Sequence, residues 1–239
     1  MKPILISLSP NIEKDDVVLA GKVILQPMIW RDAIITQKIE STLSHYLGKR
    51  EVVAASSGRG ALYQTLRAYG IGQGDEVILQ AFTCLAVAAP IRWCGSEPVY
   101  ADINPESYNL DVRDVEKKIS PRTKAIIVQH TFGLPGSIRE VVALAKQHKI
   151  LVIEDLAHGL GATWQGQRLG TFGDAAILSF GRDKAISCVF GGAIASDNQS
   201  LINKIRLQQN KLRYPANWWV AQQLLHPILT GAIIPYYYQ

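Results

Sequence analysis

The chain has 239 residues, of which 48% are hydrophobic and 19% charged, and a formal net charge of +5. That length can bury one large domain, or one domain with an appendage, and the composition is ordinary for a globular α/β protein. Lys and Arg are scattered without a basic run, so nucleic acid is not an expected partner, and no apolar run reaches the length of a membrane span.

Three cysteines, Cys84, Cys94 and Cys188, show no CxxC or Cys/His spacing. That argues against a disulfide framework or a zinc site and suits a reducing compartment, so a cytoplasmic protein holding no metal is expected. The apolar stretch after Lys2 is too short for a signal peptide.

Residues 1–30 show no clean period and read as an irregular arm. From Arg31, the positions Ile35, Ile39, Leu43 and Leu47 repeat every four residues, an amphipathic helix stopped by Gly48. Glu51–Ala55 is a short strand. The turn Ser56–Gly60 then opens a helix over Ala61–Tyr69. Such a glycine turn offers backbone N–H groups at the positive end of a helix, which suits a phosphate; it reads equally well as a simple strand-to-helix turn.

A turn at Gly70–Asp75 leads to a strand at Glu76–Gln80 and a small-residue helix from Cys84 to Trp93. Pro98–Ala101 is the next strand, followed by a loop and the helix Asp111–Ile119. Lys124–Gln129 reads as a central strand. Ser137 and Glu140 have the spacing of a capping box for a helix carrying Ile138, Val141, Val142 and Ala145.

Ile150–Glu154 is a buried strand that delivers Asp155 at its C-terminal end, where open α/β sheets bind ligands. Ala175–Phe180 and Gly192–Ala195 have strand composition and flank a polar loop with Lys184 and the glycines Gly191 and Gly192. A basic helix over Leu201–Leu212 follows, and residues 214–239 are apolar and aromatic, read as a buried segment. Strands alternate with helices at βαβ spacing. The expectation is a three-layer α/β/α fold around a mainly parallel sheet of about seven strands. A strand-end Asp and a loop Lys are the two groups that a pyridoxal phosphate site needs.

Six stretches then share one family order: SGRGAL (Ser57–Leu62), GDEVILQAFT (Gly74–Thr83), EPVYADINPESYNLD (Glu97–Asp111), ISPRTKAIIVQHTFGLP (Ile119–Pro135), VIEDLAHGLGA (Val152–Ala162) and GTFGDAAILSF, which leads to Lys184. On these the chain resembles the DegT/StrS-type sugar aminotransferases, pyridoxal-phosphate enzymes of the aspartate-aminotransferase fold (fold type I). The resemblance implies that Lys184 holds the cofactor through its amine and moves the reacting proton. It implies that Asp155 pairs with the pyridinium nitrogen and that His158 lies by the ring. Ser179 and the backbone of Gly58, Arg59, Gly60 and Ala61 would bind the phosphate, and Cys84 would stand on the loop over the ring. Taken alone, Lys184 reads as a solvated loop lysine, Asp155 as a helix cap and His158 as a core histidine.

The chain departs from the family pattern at Cys84, where an aromatic residue is common, at Phe190, commonly acidic, and at Ala185, usually Asn. Lys184 argues against the dehydratase branch, which has histidine there. Family members also continue past this C-terminus. The expected division is therefore an arm (1–30), a cofactor-binding large domain (31–213) and the start of an incomplete small domain (214–239).

The resemblance implies transfer of an amino group from a donor such as glutamate to a keto-sugar, nucleotide-linked, in surface-glycan or polysaccharide synthesis. It also implies an active site at a homodimer interface. The alternatives are a non-catalytic cofactor-binding or regulatory homologue, an inactive fragment of such an enzyme, and a general nucleotide-binding domain, which no GxGxxG or Walker loop supports.

Overall fold

The computed structural model describes residues 12–237 apart from residue 49, with side chains as far as Ile233. The strands are β1 (Glu51–Ala55), β2 (Glu76–Gln80), β3 (Glu97–Ala101), β4 (Thr123–Gln129), β5 (Leu151–Asp155), β6 (Thr163–Trp164), β7 (Gln167–Arg168), β8 (Ala175–Ser179) and β9 (Gly192–Ser196). Seven of them form one sheet in the order β1-β9-β8-β5-β4-β2-β3, and β6 pairs with β7 in a small hairpin. The pairs from β8 across to β3 are parallel. β9 runs antiparallel to β1 and β8, because the loop after β8 turns the chain straight back and needs no crossover helix. The sheet is the seven-stranded, mainly parallel one that the βαβ spacing implies.

The helices are α1 (Lys14–Ile24), α2 (Ala33–Tyr46), α3 (Gly58–Ala68), α4 (Leu85–Trp93), α5 (Val112–Lys118), α6 (Ile138–His148), α7 (Gln199–Gln209) and α8 (Asn217–Tyr237). Successive strand residues face opposite sides of a sheet. On β4, Ala125 and Ile127 join a core with Leu62 and Leu66 of α3, Val87 and Ile91 of α4, and Leu201, Ile202 and Ile205 of α7. Ile126 and Val128 face the other way, with Val115 of α5 and Ile138, Val141 and Leu144 of α6. A sheet covered on both faces requires apolar residues at every position, which is why these strands do not alternate. No helix among the described residues is long and apolar enough to cross a membrane.

The structure departs from the sequence reading at four places. Residues 14–24 are helical, not irregular; the first eleven residues of the expected arm lie outside the described residues. The Asp16 carboxylate accepts the Glu13 N–H at 3.0 Å, and α1 lies along α8. A helix this short draws its stability from a packing partner, and that partner is remote in sequence.

Ser137 precedes α6 but its side chain makes no capping bond; its ψ of 54° lies outside the extended region that aims a cap hydroxyl over the first turn. The stripe on α2 is buried only toward its C-terminal end: Leu47 is inside, whereas Ile35 and Ile39 are 49% and 51% exposed. The C-terminal stretch forms α8 rather than a buried segment. Pro227 and Thr230 face inward, but Trp218 is 71% exposed and Leu229 and Ile233 also reach solvent. This mostly apolar helix covers the sides that meet α1 and the loop after β8 and leaves the rest in solvent.

Candidate functional site

The carboxyl ends of β5 and β8 lie side by side. The pairing of Asp155 with Ile177 leaves Ser179 one further alternation along β8, on the same side of the sheet edge. Gly192 of β9 sits between the chain ends that matter, opposite both Ala55 of β1 and Ser179. A Cβ on Gly192 would lie 2.5 Å from the Ser57 carbonyl carbon and 2.7 Å from the Gly58 nitrogen. The turn after β1 therefore rests directly on β9. A Cβ on Gly58 would lie 2.8 Å from that of Ser179, so the first residue of α3 is pressed against the end of β8. Ser57 caps α3 by accepting the Gly60 N–H at 3.0 Å. The result is a helix N-terminus, the favoured place for an anion, aimed into the crevice where sheets of this kind take ligands.

A cavity of about 650 Å³ occupies that crevice. Gly58, Arg59, Cys84, Asp155, His158, Ser179 and Lys184 all line it, so seven of the nine residues singled out in the sequence come together. Gly60 and Ala61 do not line it. The Gly60 N–H is taken by Ser57, and Ala61 is fully buried with its N–H on the Ser57 carbonyl at 2.8 Å. These two shape the turn from within.

Asp155 is buried at the end of β5, and its Oδ1 accepts the Ala157 N–H at 2.9 Å. Burial pushes its pKa up, and the Ala157 bond and the nearby His158 and Lys184 only partly oppose this. It is a carboxylate stripped of water without full compensation, a group that gains from a cation brought close. Lys184 Nζ pairs with Asp183 Oδ2 at 3.1 Å, and its side chain is 16% exposed. Burial works against ionisation of Asp183, but the bond and charge from Lys184 prevail and hold its pKa below the usual range.

His158 is exposed at the cavity, its ring parallel to that of Phe132 with centroids 6.2 Å apart. The core histidine is instead His130, fully buried. Its Nδ1 accepts the Gly136 N–H at 3.1 Å, which places the ring proton on Nε2, 3.2 Å from Glu154 Oε2. Glu154 also accepts N–H groups from Gly170, Phe172 and Gly173 at 2.7, 2.7 and 2.8 Å. Burial opposes its ionisation, but His130 and these backbone donors outweigh burial and lower its pKa. Glu154 thus binds β4 and the loop after β7 to the strand that presents Asp155. Sequence reasoning missed this pair, although one acidic residue inside an apolar run was a signal for it.

Other residues missed are Gln129 and Arg182, which also line the cavity, as does Phe190, noted in the sequence as a departure from the family pattern. Gln129 Oε1 accepts the Thr83 hydroxyl at 2.7 Å, fixing the loop after β2 to the end of β4. Cys84 is exposed and caps α4 through the Ala86 N–H at 3.4 Å. Among the described residues, no group of three or more His, Cys, Asp or Glu side chains could hold a metal ion.

A mainly parallel α/β sheet with a lysine, a buried aspartate and a helix N-terminus at its carboxyl edge defines a protein built to hold an anionic cofactor. The chain belongs to the DegT/DnrJ/EryC1/StrS aminotransferase family, which it matches over residues 14–220. It is 39% identical over 170 residues to GDP-perosamine synthase of Caulobacter vibrioides, covering 71% of this chain and 46% of that one. It is 34% identical over 213 residues to the pleiotropic regulatory protein of Geobacillus stearothermophilus, covering 87% and 55%. The solved structure of NtdA from Bacillus subtilis with bound cofactor PMP superposes with a TM-score of 0.78 at 29% identity, covering 96% of this chain and 57% of that one. The chain thus spans about half the length of the curated relatives it matches.

Proposed function

We propose that the chain is the cofactor-binding part of a pyridoxal-phosphate-dependent aminotransferase that moves an amino group from an amino acid, such as glutamate, to a nucleotide-linked keto-sugar. The observation that carries this reading is the convergence on one cavity of Lys184, the desolvated Asp155, and the α3 N-terminus with Ser179. The donor set suits pyridoxal phosphate: a buried carboxylate for a ring-nitrogen proton, an amine for the aldehyde, and backbone N–H groups with a hydroxyl for the phosphate. The family supports the aminotransferase class, and the Caulobacter relative, by its name, supports a sugar substrate.

Bound there, pyridoxal phosphate supplies an electron sink for the carbon that loses its proton. Asp155 would pair with a protonated ring nitrogen, and its burial would make that pairing strong. Gly58 and Arg59 at the start of α3, with Ser179, would hold the phosphate. The Lys184 amine would hold the cofactor aldehyde and would be the group placed to move a proton at the substrate carbon. His158 and the loop of Cys84 line the same cavity and would lie beside the ring. We assign the protein to the cytoplasm and to a homodimer on the same reading.

A non-catalytic, regulatory homologue is the second reading, favoured by the Geobacillus relative, whose match covers most of this chain. The test is borohydride reduction of the protein loaded with pyridoxal phosphate, followed by peptide mapping. A pyridoxyl group on Lys184 is expected, and a label on another lysine overturns the site. Addition of glutamate should change the absorption spectrum of the loaded protein; an unchanged spectrum favours the second reading.

A further inference from the structure

Lys184 lies on the loop that joins β8 to β9. The base of that loop is closed by Phe180 N–H to the Gly191 carbonyl at 2.9 Å and by Cys188 N–H to the Phe180 carbonyl at 3.0 Å. Lys184 N–H closes a turn onto the Gly181 carbonyl at 3.0 Å, and the ion pair with Asp183 is to a neighbour on the same turn. These bonds shape the loop without tying it to another element.

Two contacts among the described residues tie it to α8. Arg182 Nη2 donates to Gln223 Oε1 at 3.0 Å. The Phe190 ring meets the Trp219 ring with centroids 5.2 Å apart. The Arg182 guanidinium also lies over Phe190, 5.3 Å from its centroid, so the two loop anchors brace each other. Trp219 and Gln223 are four residues apart and share one side of the helix. The helix itself is seated on α1, close enough that a Cβ on Gly231 would lie 2.8 Å from Val17 Cγ2.

Backbone strain marks the same place. Val189 has φ of +69°, a left-handed conformation that a β-branched residue avoids. Strain of this kind persists where surrounding contacts over-determine the backbone, and the Phe190–Trp219 contact immediately follows it.

We propose that α8 is a latch that positions Lys184, with Gln223 and Trp219 as positioning residues acting through Arg182 and Phe190. The proposal rests on the reading of Lys184 as the cofactor lysine. It adds that a helix beyond the central sheet sets where the amine stands.

The test is hydrogen exchange by mass spectrometry on the full 239-residue chain without cofactor. Gln223→Ala and Trp219→Ala should each make peptides over residues 180–191 exchange about tenfold faster, the scale expected for losing one charge-assisted bond or ring contact that restrains a loop. Peptides from β4, β5 and β8 should be unchanged. Gln223→Glu retains an oxygen for Arg182 and should restore the wild-type rate. The two loop-loosening variants should also bind pyridoxal phosphate several-fold more weakly, on the same scale.

Gln223→Ala leaves the apolar contacts of α8 intact, so it reports even if Trp219→Ala does not fold. Unchanged loop exchange in Gln223→Ala overturns the latch, as does acceleration spread equally over the sheet. If borohydride labels a lysine other than Lys184, the cofactor reading fails while the exchange result still decides the latch. If Lys184 is labelled and exchange does not respond, the latch fails and the cofactor reading stands.

Discussion

Glu154 and Asp155 are adjacent acids on β5, both buried, with opposite electrostatic outcomes. Glu154 has His130 and three backbone donors, and its pKa falls; Asp155 has one backbone donor and more distant cations, and its pKa rises. The linkage signs follow. A carboxylate with a lowered folded pKa contributes stability that is present above its unfolded pKa and lost as pH falls through the folded one. One with a raised folded pKa costs stability as pH climbs from the unfolded value through the raised one. Asp155→Asn should therefore make the cofactor-free protein melt higher at neutral pH than the wild type, with the two converging below the ordinary carboxylate range. On the proposed function, the same variant should still bind pyridoxal phosphate but slow any amino transfer, because an amide does not hold the ring nitrogen protonated. A wild-type melting profile across that pH range would show that Asp155 is not desolvated as described. Glu154→Ala strands His130 and three N–H groups, and a loss of about 3–5 kcal/mol is expected in urea titrations of the apoprotein. A loss under about 1 kcal/mol would mean that water replaces the carboxylate readily.

At the scale of elements, two glycines make opposite predictions. Gly192 lies under the turn at Ser57–Gly58, and an added Cβ would meet backbone atoms at 2.5 to 2.7 Å. Gly192→Ala must push the turn off β9, at about 1–3 kcal/mol, and should weaken pyridoxal phosphate binding because α3 loses its aim. Gly21 sits in the interior of α1 with nothing within 4 Å of an added Cβ. Gly21→Ala should stabilise the protein by up to about 1 kcal/mol. Thermal melts of both variants check the pair, and a neutral Gly192→Ala would refute the close approach. The strands and their helices were legible in the sequence because apolar runs and strand–helix alternation are local properties. Asp155 at the end of β5 and Lys184 in the loop after β8 were singled out by residue type and by the family resemblance, whereas their meeting at one cavity depends on the fold. What stayed hidden depends on remote partners or backbone angles: α1 needs α8, Ser137 lacks the ψ for a cap, and the Gly60 N–H is already taken by Ser57. The Arg182–Gln223 and Phe190–Trp219 contacts join a loop to a helix at a sequence separation that no period reports.

For the whole molecule the informative surface is apolar. The apolar repeat marks α2 as amphipathic, yet Ile35 and Ile39 of that repeat stand in solvent, as does Ile34. Met28 and Leu25, just before α2, are exposed as well. Contiguous exposed apolar groups are uncommon on soluble monomers and mark surfaces that another chain or segment covers. On the homodimer reading, the occupant is a second copy of this chain. Ile35→Asp combined with Ile39→Asp should then shift sedimentation at micromolar concentration from an associated species to a monomer, with the far-UV spectrum unchanged. Shortening the chain to Leu212 is a poorer test, because it removes the helix on which α1 packs and so changes the fold as well as the surface. The Asp variants carry no such cost, since both positions are about half exposed in the single chain. If the wild-type protein is already monomeric, or if the double variant sediments as the wild type does, the α2 surface is not the interface between copies.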